Sequence, residues 1–192
     1  MLQSRLRLHY DVCVQSICEQ FTVNSTSEKL RYRLRPHRPG DIGWVISRHG
    51  ALYAEEYGWD VTFEAMVAEI CAKFINEFDA TCERCWIAED AAHPNAGPLG
   101  SVFVVRENET TAKLRMLLVE PRARGMKLGA RLVDEAIAFA RECGYTTMTL
   151  WTNDILHAAK SIYVARGFTL VSEEKHHSFG HDLVGQYWAL KL

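Results

Sequence analysis

The stretch from Thr111 to Trp151 constrains the fold more than any other. "TAKLRMLLV" reads as a strand and stops at Pro121. "RARGMKLG" follows, basic and spaced by two glycines. Leu128, Leu132, Val133, Ala136, Ile137 and Ala140 then recur at helical spacing, Gly144 suits the residue just past the helix end, and "YTTMTLW" is again a strand. A strand, a helix and a second strand joined this closely make a parallel crossover, which is right-handed.

The flanking segments read differently. Tyr32 and Leu34 alternate with Arg31, Arg33 and Arg35 in a strand that Pro36 ends. Asp41 is placed to cap a helix through "IGWVISRHGALYAEE", and "YGWD" interrupts it. Asp60 or Thr62 caps the next helix, where Phe63, Met66, Val67, Ile70, Cys71, Phe74, Ile75 and Phe78 hold a helical period that one buried face explains. "CWIAE" and "GSVFVVR" flank a turn-rich segment, as a hairpin would. A further helix begins near Asn153 or Asp154, either of which can cap it, and ends at Gly167; "FTLVSE" and "LVGQYWALKL" are the last strands. The order β, α, α, β, β, β, α, β, α, β, β predicts an α/β fold: a mixed, mostly antiparallel sheet of about seven strands around a central right-handed βαβ unit. Residues 1–28, broken by "NSTSEK", read as an extension or linker remnant with a short helix around Val12 to Cys18, and residues 29–192 as the main domain.

Composition excludes several classes. At 192 residues, 48% hydrophobic and 24% charged, the chain can bury a core. A net charge of −2 supplies no global field for nucleic acid or for a charged tRNA substrate. No apolar run reaches the length of a membrane span and no secretory leader is evident, so six scattered cysteines are expected to stay reduced in a cytoplasmic protein. "CERC", Cys82 to Cys85, lacks the second pair that a closed zinc site needs and runs into a strand rather than a redox helix.

A helix start exposes unpaired N–H groups and the positive end of the helix dipole, so "RGMKLGA" can hold a diphosphate, with Arg122, Arg124 and Lys127 adding charge. The glycines do not fit a Walker loop, and G-x-G-x-x-G is absent. Arg124-Gly125-Met126-Lys127-Leu128-Gly129 resembles the R/Q-x-x-G-x-G/A acyl-CoA loop of the GNAT superfamily of N-acetyltransferases, with Lys127 where the middle glycine usually stands. Alone, a basic turn on an ordinary helix accounts for it. Ala159, Tyr163, Gly167 and Phe168 resemble the superfamily's second signature, A-x-x-x-Y-x-x-x-G-F, and the two together support the resemblance. From about Tyr32 onward, "LRPHRPGDIGWVISRHGALYAEEYGWD", "AKLRMLLVEP" and "EEKHHSFGHDLVGQYWAL" look like the acetyltransferase half of bacterial MarR–GNAT fusion proteins. The winged helix itself is not matched.

The resemblance implies the acyl-CoA N-acyltransferase fold, with its fourth and fifth strands splayed around the pantetheine arm of acetyl-CoA. By match, Leu117, Leu118 and Val119 supply backbone groups to that arm, one of them polarising the acetyl carbonyl, and Arg124, Gly125, Met126, Lys127, Leu128, Gly129 and Ala130 cradle the pyrophosphate. Ala159 and Tyr163 flank the cofactor, Tyr163 as general acid to the leaving thiolate. Asn153 either contacts the pantetheine or caps its helix. Lysine tolerates close approach and positive φ less well than glycine; if φ is negative at Lys127, its backbone N–H can still donate and its ammonium can reach a CoA phosphate.

Some relatives carry a glutamate base on the fourth strand, but here that strand reads Lys113-Leu114-Arg115-Met116. Glu120 is one replacement. The group His176, His177, His181 and Asp182 is another, or a metal site, or a solvated loop, and water can also relay the proton. Trp44, His49, Tyr53, Glu56, Tyr57 and Trp59 fall where relatives shape the acceptor pocket, so Tyr53, Tyr57, His177 and His181 stand as substrate contacts, each with simple packing as the alternative. The implied activity is direct transfer of acetyl from acetyl-CoA, with no metal, to a primary amine of a small molecule, amino acid or peptide. The second reading is a regulatory module that binds acyl-CoA or an effector and turns over poorly. A homodimer rests on analogy; no membrane or nucleic-acid partner is expected.

Overall fold

The computed structural model describes residues 31–192, which form one unit. The short helix expected near Val12 and the boundary at residue 28 lie outside the described residues. Seven strands make one sheet: β1 (Tyr32–Pro36), β2 (Arg84–Asp90), β3 (Pro98–Arg106), β4 (Thr111–Val119), β5 (Thr147–Asn153), β6 (Thr169–Ser178) and β7 (His181–Lys191), in the spatial order β1-β2-β3-β4-β5-β7-β6. All neighbours are antiparallel except β4 and β5. Four α-helices accompany them: α1 (Asp41–Tyr57), α2 (Val61–Glu77), α3 (Leu128–Glu142) and α4 (His157–Ala165). This is the expected mixed sheet, with β4–α3–β5 as its parallel crossover.

The two faces of the sheet hold two separate cores. Leu128, Leu132, Val133, Ala136 and Ala140 of α3 pack with Val102, Val104, Leu114, Met148 and Leu150. On the opposite face, Val45 of α1 and Phe63, Val67, Cys71 and Phe74 of α2 pack on Ile87 and Phe103. The strand alternation Val102, Phe103, Val104 therefore divides a continuous apolar run between two helical layers.

Helix starts depart from the sequence reading in two places. Gly40, in the left-handed region, precedes α1, and Asp41 is its first residue rather than its cap. The Asp41 carboxylate instead accepts from the Arg38 backbone N–H at 2.7 Å and pairs with Arg35. Asp60 does cap α2, accepting from the Thr62 N–H at 2.9 Å. α4 begins four residues later than expected, at His157, with Leu156 before it and no side-chain cap. Asn153 and Asp154 therefore cap nothing. Asn153 closes β5, buried, and its Oδ1 accepts from His176 Nε2 at 3.0 Å.

The α2 stripe is also wider than one buried face. Phe63, Val67, Cys71 and Phe74 are buried, Ile75 is 45% exposed, and Met66 and Ile70 line a cavity, Met66 also packing against the edge of the core. The histidines of 176–181 are not a loop either: β6 and β7 are long and meet in a tight turn at Phe179-Gly180.

Candidate active site

Two features open the sheet at its centre. β4 and β5 pair from Thr111–Thr147 to Leu114–Leu150 and no further, so the strands diverge beyond Leu114. At the same point β4 bulges. Met116 sits at φ 51°, the register against β3 shifts, and Ser101 Oγ donates to the Met116 carbonyl at 2.9 Å. A bulge of this kind bends a strand and re-aims its backbone groups.

A cleft of about 510 Å³ occupies this opening. Leu117, Leu118 and Val119 form one wall, Ala159 and Ile162 of α4 another, and Arg124, Gly125, Lys127, Leu128, Gly129 and Ala130 its end. Among the described residues no backbone or side-chain acceptor takes the N–H of Gly125, Lys127, Leu128, Gly129 or Ala130, and the first i→i−4 bond of α3 is Arg131 to Lys127. These amides converge at a helix start, an anion site by geometry and dipole. The Arg124 and Met126 amides differ, being spent on Pro121 and Ala123 within the turn. Met126 does not line the cleft and packs at the edge of the α3 core.

Lys127 does not meet the negative-φ condition. It lies in the left-handed region at φ 57°, ψ 17°, as the residue before α3. The chain therefore takes a glycine-like conformation with a lysine, at a cost of about 1–2 kcal/mol. Gly129 allows close approach of α4: a Cβ there would lie 2.9 Å from Ile162 Cδ1, whose side chain would have to move, and 3.4 Å from Val119 Cγ2. Of the basic side chains, Arg122 is committed elsewhere, its Nη2 donating to the carbonyls of Ala96, Gly97 and Pro98. Arg124 pairs with Glu56 of α1 across the cleft mouth.

A second, smaller cavity of about 130 Å³ joins the first, sharing Tyr53, Leu117, Leu156 and Ala159. Tyr163 lies on its wall, and no described group bonds the Tyr163 hydroxyl. Burial, with Tyr53 nearby, raises its pKa, so it stays a proton carrier. Asn153 lines this cavity rather than the larger cleft.

His49 lines the same cavity and is 2% exposed. Its Nδ1 lies 2.8 Å from the Val45 carbonyl, which can only accept, so Nδ1 carries the proton and Nε2 the lone pair. Burial pulls its pKa down to about 4, so the ring is neutral. Sequence reading located His49 in the pocket region but gave it no role. The missing signal was the helical spacing that aims it inward with Tyr53, against which it stacks at 5.8 Å.

Of the remaining predicted residues, the two tyrosines reach the cavities and Glu120, His177 and His181 do not. Tyr53 lines both cavities and Tyr57 the larger one. Glu120 is buried and held by Arg48 through bonds of 2.6 and 3.0 Å, and it lines neither cavity. His177 pairs with Asp182 at 2.7 Å on the exposed hairpin. His181 donates to the Gly58 carbonyl at 3.0 Å, and the Phe179 ring packs against Trp59 at a tilt of 34°, so the hairpin turn docks on the α1–α2 corner. His177 and His181 line neither cavity. Among the described residues no cluster of His, Cys, Asp and Glu could hold a metal, and no helix is long and apolar enough to cross a membrane. Cys82 and Cys85 are free thiols, and burial raises the Cys85 pKa well above its usual value.

Comparison with known proteins agrees with this geometry. The model of the acetyltransferase (GNAT) family matches residues 31–168. An uncharacterized N-acetyltransferase of Schizosaccharomyces pombe is 30% identical over 125 residues, spanning 60% of this chain and 69% of that protein. Among solved structures, yncA of Salmonella typhimurium, determined with its cofactor acetyl-CoA, superposes with a TM-score of 0.66 at 17% identity, covering 84% of this chain and 94% of that one. Spermidine N-acetyltransferase from Vibrio cholerae, in complex with CoA and spermine, gives a TM-score of 0.64 at 17% identity, covering 84% and 95%.

Proposed function

The chain belongs to the GNAT acetyltransferase family, and from that premise we propose that it transfers acetyl from acetyl-CoA directly to the primary amine of a small acceptor. The observation that carries this reading is the junction of two cavities at Leu117, Ala159 and Tyr53. The larger ends in unpaired amides suited to a pyrophosphate, and the smaller carries an unbonded tyrosine hydroxyl and a neutral imidazole. The structure with acetyl-CoA among the fold neighbours supports the choice of cofactor.

In this reading the amides of Gly125 and of Lys127 through Ala130 bind the pyrophosphate, and the Leu117–Val119 backbone holds the pantetheine arm as an added strand. A backbone N–H there stabilises the charge that develops on the thioester oxygen. The amine attacks the acetyl carbon from the smaller cavity. Its surplus proton passes to His49 Nε2, a weak base that suffices because the nitrogen becomes strongly acidic once it bonds to carbon. Tyr163 gives its proton to the departing thiolate. Glu120 is a poorer base, since both its oxygens already accept from Arg48.

Kinship to the acetyltransferase half of MarR–GNAT fusions and a cytoplasmic location belong to the same proposal. Thiol release from acetyl-CoA with a panel of amines tests it. Turnover that collapses in Tyr163→Phe supports catalysis; a slow rate unchanged by that substitution points to a binding module.

A further inference from the structure

Arg115 leaves the small cavity with an unbalanced charge. It lies on β4 just before the bulge, opposite Phe103, on the sheet face that carries α1 and α2. It lines the acceptor cavity and a second, polar cavity behind it. Among the described residues it makes no hydrogen bond and no ion pair, and burial lowers its pKa from the ordinary arginine value. The acid whose charge acts on it, Glu107, is hydrogen-bonded elsewhere, by Lys113 Nζ at 2.6 Å and Thr149 Oγ1 at 2.7 Å. Among the described residues none that lines the acceptor cavity is Asp or Glu.

The acids near the guanidinium, Glu77, Glu83 and Glu107, line the polar cavity behind it, and Glu107 offsets part of its charge; on the acceptor side the partly desolvated guanidinium has no partner among the described residues. Its planar fork matches a carboxylate, and a charge-assisted pair in such a site is about twice as strong as a neutral bond. The same positive charge disfavours an ammonium group close by, so an acceptor amine entering here is pushed toward its neutral, nucleophilic form. A polycation has the opposite requirement, needing acidic side chains that this wall lacks. The volume of about 130 Å³ is small against the roughly 300–1,000 Å³ of drug-sized pockets, which suits a compact molecule.

Building on the acetyltransferase reading above, we infer that the acceptor is a small amino acid whose carboxylate is held by Arg115, with its amine turned toward Leu117 and Tyr163. Arg115 acts as a substrate-binding and specificity residue, separate from the proton transfers.

The test compares leucine, leucinamide and spermidine as acceptors, in the wild-type chain and in Arg115→Gln and Arg115→Lys, with CoA affinity measured for each variant to establish that the site is intact. The expected result is a kcat/KM for leucine at least tenfold above leucinamide and spermidine. Arg115→Gln should erase that gap by raising KM for leucine alone, and Arg115→Lys should restore part of it. Calorimetric binding of N-acetylleucine and its amide provides a readout independent of turnover. Carboxylate-dependent binding that Arg115→Gln removes, with no turnover of any amine, would uphold the anion site and sink the transferase reading. Equal use of leucine and leucinamide, preference for spermidine, equal losses for all acceptors in Arg115→Gln, or no difference in binding between N-acetylleucine and its amide would overturn the inference.

Discussion

The Nδ1–H of His49 donates to the carbonyl of Val45 one helical turn back, at 2.8 Å. That bond selects a single tautomer, and burial keeps the ring uncharged with a pKa near 4. An unfolded histidine titrates near 6.5. Between those values the unfolded chain binds more protons than the native one, so stability contributed by this group is complete above pH 6.5 and falls as pH drops toward 4. The loss is on the order of 3 kcal/mol. Chemical denaturation at pH 7.5 and 4.5 should show it, and His49→Leu should flatten the dependence. A wild-type stability that is level over this range would contradict the assignment.

His49→Ala should also lower kcat by roughly 100-fold while leaving the affinity for CoA unchanged, as for loss of a proton acceptor. Glu120→Gln serves as the contrast, and its kcat should stay within about threefold of wild type. If the two variants exchange these phenotypes, the base is Glu120.

Tyr163→Phe removes a hydroxyl that bonds to no described group. The melting temperature should therefore hold or rise slightly, while kcat falls by roughly 10²–10³. Single-turnover kinetics would separate a chemical defect from a binding one.

Lys127→Gly relieves a left-handed lysine. Up to about 1 kcal/mol should be gained, because the greater freedom of glycine in the unfolded chain offsets part of the relief. CoA should still bind, since the amide remains in place. Thermal unfolding and a CoA titration check both points. Complete loss of binding would assign the ammonium a larger share than the backbone.

Much of this architecture was legible because it depends on local periodicity. The β4–α3–β5 unit, the seven strands and the α3 stripe all follow from spacing within one element. What escaped the sequence depends on partners distant in the chain. Glu120 looked available until Arg48, 72 residues earlier, was found holding both its oxygens. Asn153 looked like a cap until β5 extended through it and His176 took its oxygen. His49 and Arg115 were visible as letters, but their burial and lack of counter-groups are properties of the assembled pocket. The φ of Lys127 was open for a different reason: residue type is a weak guide to φ where the surrounding turn over-determines it.

Gly100→Ala probes the wall of the cleft from behind. A Cβ at Gly100 would lie 2.6 Å from the Leu118 carbonyl oxygen, a backbone atom that cannot rotate away. β4 would have to shift, at a cost of about 1–3 kcal/mol, and Leu118 would move with it. Weakened CoA binding together with the lower melting temperature is the expected outcome. A variant that melts early yet binds CoA normally would show that the cleft tolerates this displacement.

The four register pairs between Thr111–Thr147 and Leu114–Leu150, continued at the Thr110 end by the Thr146 and Thr147 N–H groups donating to the Thr110 carbonyl, form the ladder that joins a four-strand leaf (β1 to β4) to a three-strand leaf (β5 to β7). The sheet is thus bound like a book along a short spine at one end. A twist of one leaf against the other barely changes the spacing at Leu114 and Leu150, and changes it most at Val119 and Asn153. A rod-like molecule lying in the gutter would touch both pages along their free length and act as the missing stitching, stiffening the binding where the backbone leaves it open.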